Sequence, residues 1–132
     1  MDDCIFCKII RKEIPSRIVY EDKLSFAFLD IKPYNLGHTL VIPKKHYRWV
    51  WDIKEIDEFY KSVRNIANAI KKGLGTDYVV SLVFGEAVPH AHVHLIPRFN
   101  NDGHGNAIKL GNFKNISEDE QLDSLKKIQS FL

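Results

Sequence analysis

Short apolar stretches alternate with polar breaks through most of the chain. Before residue 50, β-branched and aromatic residues gather in three stretches, which charged residues, a proline and a glycine separate. Two more stretches of the same kind come after residue 75. Stretches of this length are typical of antiparallel strands joined by turns. The sequence therefore predicts five strands, at 17–20, 24–29, 38–42, 78–84 and 90–96.

Helical periodicity is strongest in the middle of the chain. From Ile56 to Ile70, seven apolar residues recur at spacings of three and four, which predicts a long amphipathic helix. Asp52 and Glu55 are expected to cap its N-terminus, and Gly73 is expected to lie at its end. The apolar stripe of such a helix should pack against one face of the sheet.

Two shorter helices are predicted near the ends of the chain. Asp2 or Asp3 would cap a helix over residues 4–11, whose apolar residues fall on one side. Ser117 and Glu120 form a capping-box pattern before a C-terminal helix. The apolar positions of that last helix are Leu122, Leu125, Ile128 and Leu132.

The order of these elements predicts the fold class. Three strands, a long helix and two further strands do not alternate as in a parallel nucleotide-binding sheet, so they favour an α+β fold. We expect a five-stranded antiparallel sheet with one long helix packed on it, a short N-terminal helix and a C-terminal helix. The 132 residues, 45% of them hydrophobic, fit a single domain spanning 1–132.

Charge and hydropathy argue against several function classes. The formal net charge is only +2, with basic and acidic residues spread along the chain, which argues against a nucleic-acid partner. No apolar run is long enough to span a membrane, so we expect no membrane partner and a cytoplasmic protein. Glycine-rich phosphate loops of the usual spacing are absent. A charged small molecule remains open as the substrate.

Three evenly spaced histidines carry most of the candidate chemistry. His90, His92 and His94 alternate with apolar residues, and strand geometry would place all three on one face. Such a face could be a solvated surface that carries histidines by chance. It could also be a three-histidine zinc centre of a metal hydrolase. In a third interpretation, one neutral imidazole is a nucleophile that attacks phosphorus.

The two cysteines of the chain form a second candidate cluster. Cys4 and Cys7 lie one helical turn apart, which lets both sulfur atoms point the same way. In an intracellular chain, a C-x-x-C pair suggests metal or redox chemistry more than a structural disulfide. The pair by itself does not decide between the two.

The histidine run resembles the His-x-His-x-His signature of the histidine triad family. The likeness continues upstream, in the same order, over four more segments. They are Cys-Ile-Phe-Cys-Lys-Ile-Ile at 4–10, Ile-Pro-Ser at 14–16, Ala-Phe-Leu-Asp-Ile at 27–31 and Gly-His-Thr-Leu-Val-Ile-Pro-Lys-Lys-His at 37–46. The resemblance covers residues 4–98 and leaves 99–132 as a C-terminal extension.

This resemblance implies an enzyme, either a nucleotide phosphoramidase or a dinucleoside polyphosphate hydrolase. His92 would attack the α-phosphate, form a covalent nucleotidyl intermediate and expel an amine, phosphate or nucleotide. His94 and the backbone amides near Ala87 and Val88 would hold the phosphate oxygens. His38 would support the histidine hydrogen-bond network. The resemblance also implies a homodimer, and a catalytically weak nucleotide sensor or adaptor is the alternative function.

The resemblance further implies where a purine nucleotide containing AMP or GMP would bind. Asp30 matches the carboxylate that engages the ribose hydroxyls. Without the resemblance, apolar residues at the matching positions would be assigned to the core, and Asp30 to a turn. The residues that match the base pocket are Ile5, Phe6, Phe28 and Ile31.

A structural zinc site is implied beside the catalytic one. Cys4 and Cys7, together with His46 and His90, resemble the two-Cys, two-His zinc site of some histidine triad proteins. Zinc in a structural role favours four thiolate and imidazole ligands in a closed tetrahedron. It would tie the N-terminal helix to the sheet and leave His92 as the free nucleophile. The alternative is a pair of buried or reduced cysteines on a small helix and an exposed His46.

The segment before the triad departs from the family pattern. Family members commonly have Gly-Gln-Ser or Gly-Gln-Thr there, whereas this chain has Gly85, Glu86 and Ala87. Ala87 lacks a hydroxyl that could hydrogen-bond the phosphate, and an ionised Glu86 nearby would repel it. We expect these differences to change rate and leaving-group preference more than fold or nucleotide binding.

Overall fold

The computed structural model describes residues 3–132 and contains the predicted α+β architecture. The strands are β1 (Ile18–Glu21), β2 (Ser25–Leu29), β3 (Thr39–Pro43), β4 (Val79–Leu82) and β5 (Val93–Pro97), and the helices are α1 (Ile5–Ile10), α2 (Ile56–Leu74) and α3 (Glu118–Gln129). The five strands form one antiparallel sheet in the order β1-β2-β3-β5-β4. Within the described residues, none of the helices is both long and apolar enough to cross a membrane.

The strand register gives the sheet two different faces. Phe28 of β2 pairs with Leu40 of β3, and Leu40 pairs with His94 of β5, so these three side chains share one face. Helix α1 packs on that face around a small apolar cluster. The opposite face packs against α2, whose buried Phe59 and Ile66 belong to the main core. The candidate chemistry therefore lies on the α1 side of the sheet.

The N-terminus of α2 differs from the prediction. Glu55 precedes the helix, but its side chain makes no capping hydrogen bond. Asp52 ends a separate 3-10 turn, where its carboxylate accepts a hydrogen bond from the backbone N–H of Trp49 at 3.2 Å. The predicted Asp52 and Glu55 cap is wrong because Asp52 is already used by that earlier turn.

The C-terminus of α2 extends past Gly73. The helix ends at Leu74, and Gly75 follows in the left-handed conformation with φ 64°, which glycine adopts without strain. Gly73 has a packing role instead. A Cβ atom built at Gly73 would lie 2.7 Å from the carbonyl oxygen of Lys127, so the missing side chain lets α3 cross closely.

Helix α1 is capped by a residue that the sequence did not indicate. Cys4 is the N-cap, and its Sγ accepts a hydrogen bond from the backbone N–H of Cys7 at 3.4 Å. The prediction that Asp3 caps the helix is wrong, and Asp2 lies outside the described residues.

Helix α3 begins with the predicted capping box between Ser117 and Glu120. Ile128 is fully buried, whereas Leu122 is exposed and Leu132 lies beyond the end of the helix. The face that α3 presents to α2 and β1 is therefore less apolar than its sequence pattern indicated.

The strand that carries the triad is shorter than predicted. β5 begins at Val93, so His90 and His92 precede it. The cause is a change of backbone partner, since the N–H of Ala91 donates to the carbonyl of Tyr47 at 2.7 Å instead of joining the ladder with β3. β4 also ends earlier than predicted, at Leu82 instead of residue 84.

Candidate active site

A mostly apolar cavity of about 400 Å³ lies beside α1 and the end of β5. The predicted site residues that line it come from α1, β2, the segment before the triad and the triad itself. They are Ile5, Phe6, Phe28, Asp30, Ile31, Ala87, Val88, His92 and His94. A larger, open and polar cavity of about 740 Å³, around Arg98, shares no lining residue with this one and contains no histidine.

His92 is held in one tautomer by the backbone. Its Nδ1 lies 2.7 Å from the carbonyl oxygen of His90, and because a carbonyl can only accept, Nδ1 carries the proton. The lone pair of the neutral ring is then on Nε2. Burial lowers the pKa of His92, and the charge of Arg48 lowers it further. At neutral pH the ring is therefore a neutral imidazole, with its proton on Nδ1 and a free lone pair on Nε2.

His38 and His94 form a hydrogen-bonded chain behind His92. The backbone N–H of Tyr34 donates to His38 Nδ1 at 3.0 Å, so the proton of the neutral His38 ring is on Nε2. That N–H donates to His94 Nδ1, also at 3.0 Å, and leaves the proton of His94 on its own Nε2. Burial lowers the pKa of His38 to about 3 and that of His94 to about 4. Both rings are neutral, and His94 is a hydrogen-bond donor beside His92.

Asp30 lies at the junction of the cavity and this chain. Its Oδ1 accepts the backbone N–H of Lys32 at 2.9 Å, and its Oδ2 is 3.5 Å from His38 Nε2. Burial raises the pKa of the Asp30 carboxyl above its ordinary value. The carboxylate keeps acceptor capacity for a polar ligand group, since it receives one hydrogen bond and one longer contact.

The apolar wall of the cavity has a rigid part and an open part. Phe6 and Phe28 are buried and meet edge to face, with ring centroids 5.6 Å apart. Ile5 and Ile31 are 45% and 78% exposed, so they form the rim. Exposed aliphatic side chains beside buried rings make a slot that a flat apolar group can enter.

A second cluster, formed by Cys4, Cys7, His46 and His90, lies at the N-terminal end of α1. One donor atom from each residue lies within 4.8 Å of the others. Cys4 Sγ lies 3.3 Å from His90 Nδ1, and Cys7 Sγ lies 3.4 Å from His46 Nδ1 and 3.6 Å from His90 Nδ1. A zinc tetrahedron with ordinary bond lengths has a sulfur-to-nitrogen edge of about 3.6 Å, so the donor set fits zinc in both type and spacing.

A hydrogen bond outside this cluster favours metal ligation by His90. His90 Nε2 lies 2.9 Å from the carbonyl oxygen of Pro43, so it carries the proton and Nδ1 is free to ligate. Burial, together with the Cys4 thiol, raises the pKa of Cys7 to about 11. A zinc ion would therefore displace a thiol proton on binding.

The three triad histidines do not share one set of ligand atoms. Among residues 3–132, potential metal ligands gather in two clusters, the cysteine cluster and a set formed by Asp30, His38 and His94. His92 belongs to neither. In the second set, the tautomers of both histidines are already fixed by hydrogen bonds to each other and to the backbone. The arrangement of this second set is thus a hydrogen-bond network and not a three-histidine metal centre.

The segment between β4 and the triad is fixed by close packing. Gly85 has φ 82°, and a Cβ atom there would lie 2.6 Å from the Trp49 ring. Arg48 stacks on the same ring and donates to the Gly85 carbonyl at 2.5 Å. Ala87 faces the cavity, whereas Glu86 is exposed to solvent. An exposed Glu86 repels a bound phosphate less than the sequence alone indicated.

Several residues that line or support the cavity were not predicted from the sequence. Tyr34, Phe84 and Phe113 line it, and Arg48 supports the segment that ends in the triad. Phe84 was predicted only as the last residue of a strand, and the other three are aromatic or basic residues in connections between predicted elements. Such residues are usually surface residues, so the signal is too weak to identify a site.

Comparisons with known proteins agree with this geometry. The family model of the HIT domain matches residues 11–101. An uncharacterized HIT-like protein of Methanocaldococcus jannaschii is 46% identical over 130 residues, which cover 93% of this chain and 98% of that protein. The adenosine 5'-monophosphoramidase HNT1 of Saccharomyces cerevisiae is 44% identical over 100 residues, or 72% of this chain and 62% of the yeast protein. A zinc-bound histidine triad family protein from Mycobacterium smegmatis superposes with a TM-score of 0.80 at 29% identity, over 98% of this chain and 93% of that one.

Proposed function

The chain belongs to the histidine triad family defined by the HIT domain, and from that membership we propose that it hydrolyses purine nucleotide conjugates through a covalent bond between His92 and the α-phosphate. The observation that carries the proposal is the 2.7 Å hydrogen bond from His92 Nδ1 to the His90 carbonyl. It leaves the nucleophilic lone pair on Nε2 in a ring that lines the cavity.

In the proposed reaction, the lone pair of His92 Nε2 forms a bond to phosphorus while the bond from phosphorus to the leaving group breaks. The leaving group departs with that electron pair, opposite to His92. Water then attacks phosphorus, and the phosphorus-to-nitrogen bond breaks, which returns the lone pair to Nε2. The leaving group takes up a proton from solvent as it departs. The hydroxyl of water ends on the nucleoside monophosphate, and the proton that water releases returns to solvent and balances the first step.

The remaining site residues have supporting roles in this proposal. The Nε2–H of His94 donates to a phosphoryl oxygen, and His38 holds His94 in the tautomer that can do so. The backbone amides near Ala87 and Val88 donate to the other oxygens. Asp30 accepts hydrogen bonds from the ribose hydroxyls. The base enters the apolar slot formed by Ile5, Phe6, Phe28 and Ile31.

The leaving group is an amine or a phosphate-containing group. The yeast relative is named an adenosine 5'-monophosphoramidase, which supports a phosphoramidate. Dinucleoside polyphosphates are the second substrate class in the proposal. Ala87 provides no hydroxyl to either leaving group, so turnover is expected to depend mainly on the chemistry of the leaving group itself.

His92→Asn tests the proposal because it keeps a polar side chain but removes the nucleophile. We expect hydrolysis of adenosine phosphoramidate and diadenosine polyphosphates to fall by about 10³-fold or more, with AMP binding still measurable by calorimetry. Wild-type protein mixed with a slow substrate should carry a nucleotide-mass adduct that peptide mass spectrometry maps to His92. Hydrolysis retained in a folded His92→Asn protein would contradict the mechanism, and wild-type binding without turnover would favour a nucleotide sensor.

We also propose that Cys4, Cys7, His46 and His90 bind one structural Zn²⁺. The spacing of the four donor atoms and the zinc-bound relative support this assignment. When bound, zinc cross-links α1 to the segments that follow β3 and precede β5. Reduced cysteines of this kind suit a cytoplasmic protein.

The chain is further proposed to act as one domain and as a homodimer. Hydrogen bonds and α3 packing join residues 99–132 to the sheet, which supports one domain over 1–132. β4 is an edge strand, and Tyr78 and Phe84 beside it are 51% and 43% exposed. An open edge with exposed aromatic neighbours is a common subunit contact. Native mass spectrometry of the intact protein would report the subunit number together with bound zinc.

A further inference from the structure

The connection between β5 and α3 contributes an aromatic residue to the cavity from outside the segment that the HIT domain matches. Phe113 lines the cavity together with Tyr34, and the two rings stack with centroids 4.7 Å apart and planes at 26°. Tyr34 in turn stacks on His38, with centroids 5.7 Å apart and planes at 19°. A column of three rings therefore extends from the histidine network to the rim of the cavity.

Hydrogen bonds hold this column in place from both sides. The backbone N–H of Lys114 donates to the carbonyl of Pro33 at 2.8 Å, next to Phe113 and Tyr34 in the chain. His104 Nε2 donates to the Tyr34 carbonyl at 2.8 Å, and the N–H of Gly111 donates to the Tyr34 hydroxyl at 3.3 Å. The backbone next to Phe113 is thus fixed against the loop that carries Asp30 and His38, so the ring position is defined before any ligand binds.

Exposure distinguishes the last ring from the others in the column. Tyr34 is 7% exposed, whereas Phe113 is 48% exposed although it lies against a mostly apolar cavity. An aromatic ring in that position loses water contact when a planar apolar group enters beside it. Phosphate would gain nothing from this ring, because an apolar aromatic side chain has neither a hydrogen-bond donor nor a positive charge.

We propose that Phe113 contacts the nucleobase of the bound nucleotide and is a base-binding residue supplied by the C-terminal extension. The inference rests on the proposed function, because it requires that the cavity binds a nucleotide. It goes beyond that function by extending the base site past Ile5, Phe6, Phe28 and Ile31 to a segment after residue 101. Planar bases that cover the ring should bind better than the same sugar phosphate without a base.

Binding of two ligands to two protein variants tests this inference. Calorimetry would compare AMP with ribose 5-phosphate, which lacks the base, on wild-type protein and on Phe113→Ala. We expect Phe113→Ala to weaken AMP binding by about ten-fold, the usual effect of one base-to-aromatic contact. Ribose 5-phosphate should change by less than about two-fold, because it has no group that reaches the ring.

Two further variants separate base contact from a structural effect. Phe131→Ala removes an exposed phenylalanine that lines a different cavity, so it should leave AMP affinity as in the wild type. Phe113→Leu keeps apolar bulk but not the ring, and its AMP affinity should fall between those of wild type and Phe113→Ala. Thermal unfolding of each variant shows that the fold is retained.

The outcomes distinguish the inference from the proposed function. Equal weakening of AMP and ribose 5-phosphate would assign Phe113 a structural role and overturn the inference. Unchanged AMP affinity in Phe113→Ala would overturn it as well, while leaving the proposed function in place. Failure of the wild-type protein to bind AMP would overturn the proposed function, and the inference with it.

Discussion

The three histidines of the triad differ in what holds each ring, and this difference supports the separate role proposed for each. His90 is fixed through Nε2 by the Pro43 carbonyl, so its free nitrogen points to the cysteine cluster. His92 is fixed through Nδ1 by the backbone of His90, which leaves Nε2 free. His94 is fixed by His38 as a donor. In the proposed function these side chains serve as a ligand, a donor and a nucleophile, because their neighbours place the ring proton on Nε2 of His90 and His94 but on Nδ1 of His92.

His38→Ala tests the role of the tautomer in His94. Without the His38 N–H, His94 loses the donor that occupies its Nδ1, and a buried acceptor is left unsatisfied. We expect kcat to fall by roughly ten- to one hundred-fold, which corresponds to about 1–3 kcal/mol. The nitrogen NMR shifts of the His94 ring should report a mixture of tautomers, a readout that a purely structural role would not move.

The control for this variant is Ser81→Ala, an exposed change on the same sheet at a position that pairs with Leu95. Ser81→Ala should retain the wild-type rate and NMR spectrum. A His38→Ala protein with wild-type kcat and an unchanged His94 tautomer would show that His38 does not position His94.

At the scale of elements, the sequence predicted the features with a strong local pattern. The α2 periodicity and the Ser117 capping box required only neighbouring residues, and both are confirmed. The start of β5 was wrong because it depends on Tyr47, which is distant in sequence and takes the Ala91 N–H out of the ladder. The place of Phe113 in the cavity was not predicted for the same reason, since its stacking partner Tyr34 is also distant in sequence.

Gly73→Ala tests the close crossing of α2 and α3. In an exposed helix position this substitution would stabilise by about 1 kcal/mol. Here the new methyl group would lie 2.7 Å from the Lys127 carbonyl oxygen and 3.0 Å from the Ile128 Cα, which are backbone atoms that cannot rotate away. We expect a net loss of about 1–3 kcal/mol in the free energy of unfolding, measured by urea denaturation.

Lys72→Ala is the matched control, because it changes the adjacent exposed residue of the same helix to the same side chain. Its free energy of unfolding should change by less than about 0.5 kcal/mol. Increased stability of Gly73→Ala would show that α3 can shift without loss of packing.

At the scale of the whole molecule, both ends of the chain are joined to the central sheet by polar side chains. The cysteine cluster connects α1 to residues that flank β3 and β5. Asp102 connects the C-terminal extension to the loop between β2 and β3, because it accepts hydrogen bonds from Arg98 and from Asn35 of that loop. Small domains have limited cores, so such connections contribute a large share of the net stability.

Asp102→Asn tests the second connection and predicts a pH dependence. The Arg98 guanidinium, followed by backbone N–H groups, holds the pKa of Asp102 well below its ordinary value. A lowered folded-state pKa stabilises the protein above the unfolded pKa of about 3.9, and this contribution is lost as the pH falls below it. We expect Asp102→Asn to lower the free energy of unfolding by about 3–5 kcal/mol at pH 7, with the difference shrinking below about pH 4.

Asp123→Asn gives the comparison for this measurement. Asp123 pairs with Lys127 at 3.0 Å on the surface of α3, where both side chains are more than half exposed. An exposed pair contributes about 0–1 kcal/mol, so this variant should unfold almost as the wild type does. A loss in Asp102→Asn that is the same at pH 3 and pH 7 would assign the effect to packing instead of charge.

Removal of zinc tests the connection at the other end of the chain. Because the proposed ligands come from three separate segments, the ion binds the folded chain far better than the unfolded one and stabilises it. A chelator should therefore lower the thermal midpoint of the wild-type protein, by the equivalent of about 3 kcal/mol if zinc was present at 100 times its Kd.

Cys7→Ser is the control for this measurement. It should begin at the lower midpoint and show no further loss with chelator, since its site is already incomplete. Elemental analysis would verify that zinc has left, and a wild-type midpoint that stays constant after zinc loss would mean that the cluster does not hold α1 to the sheet.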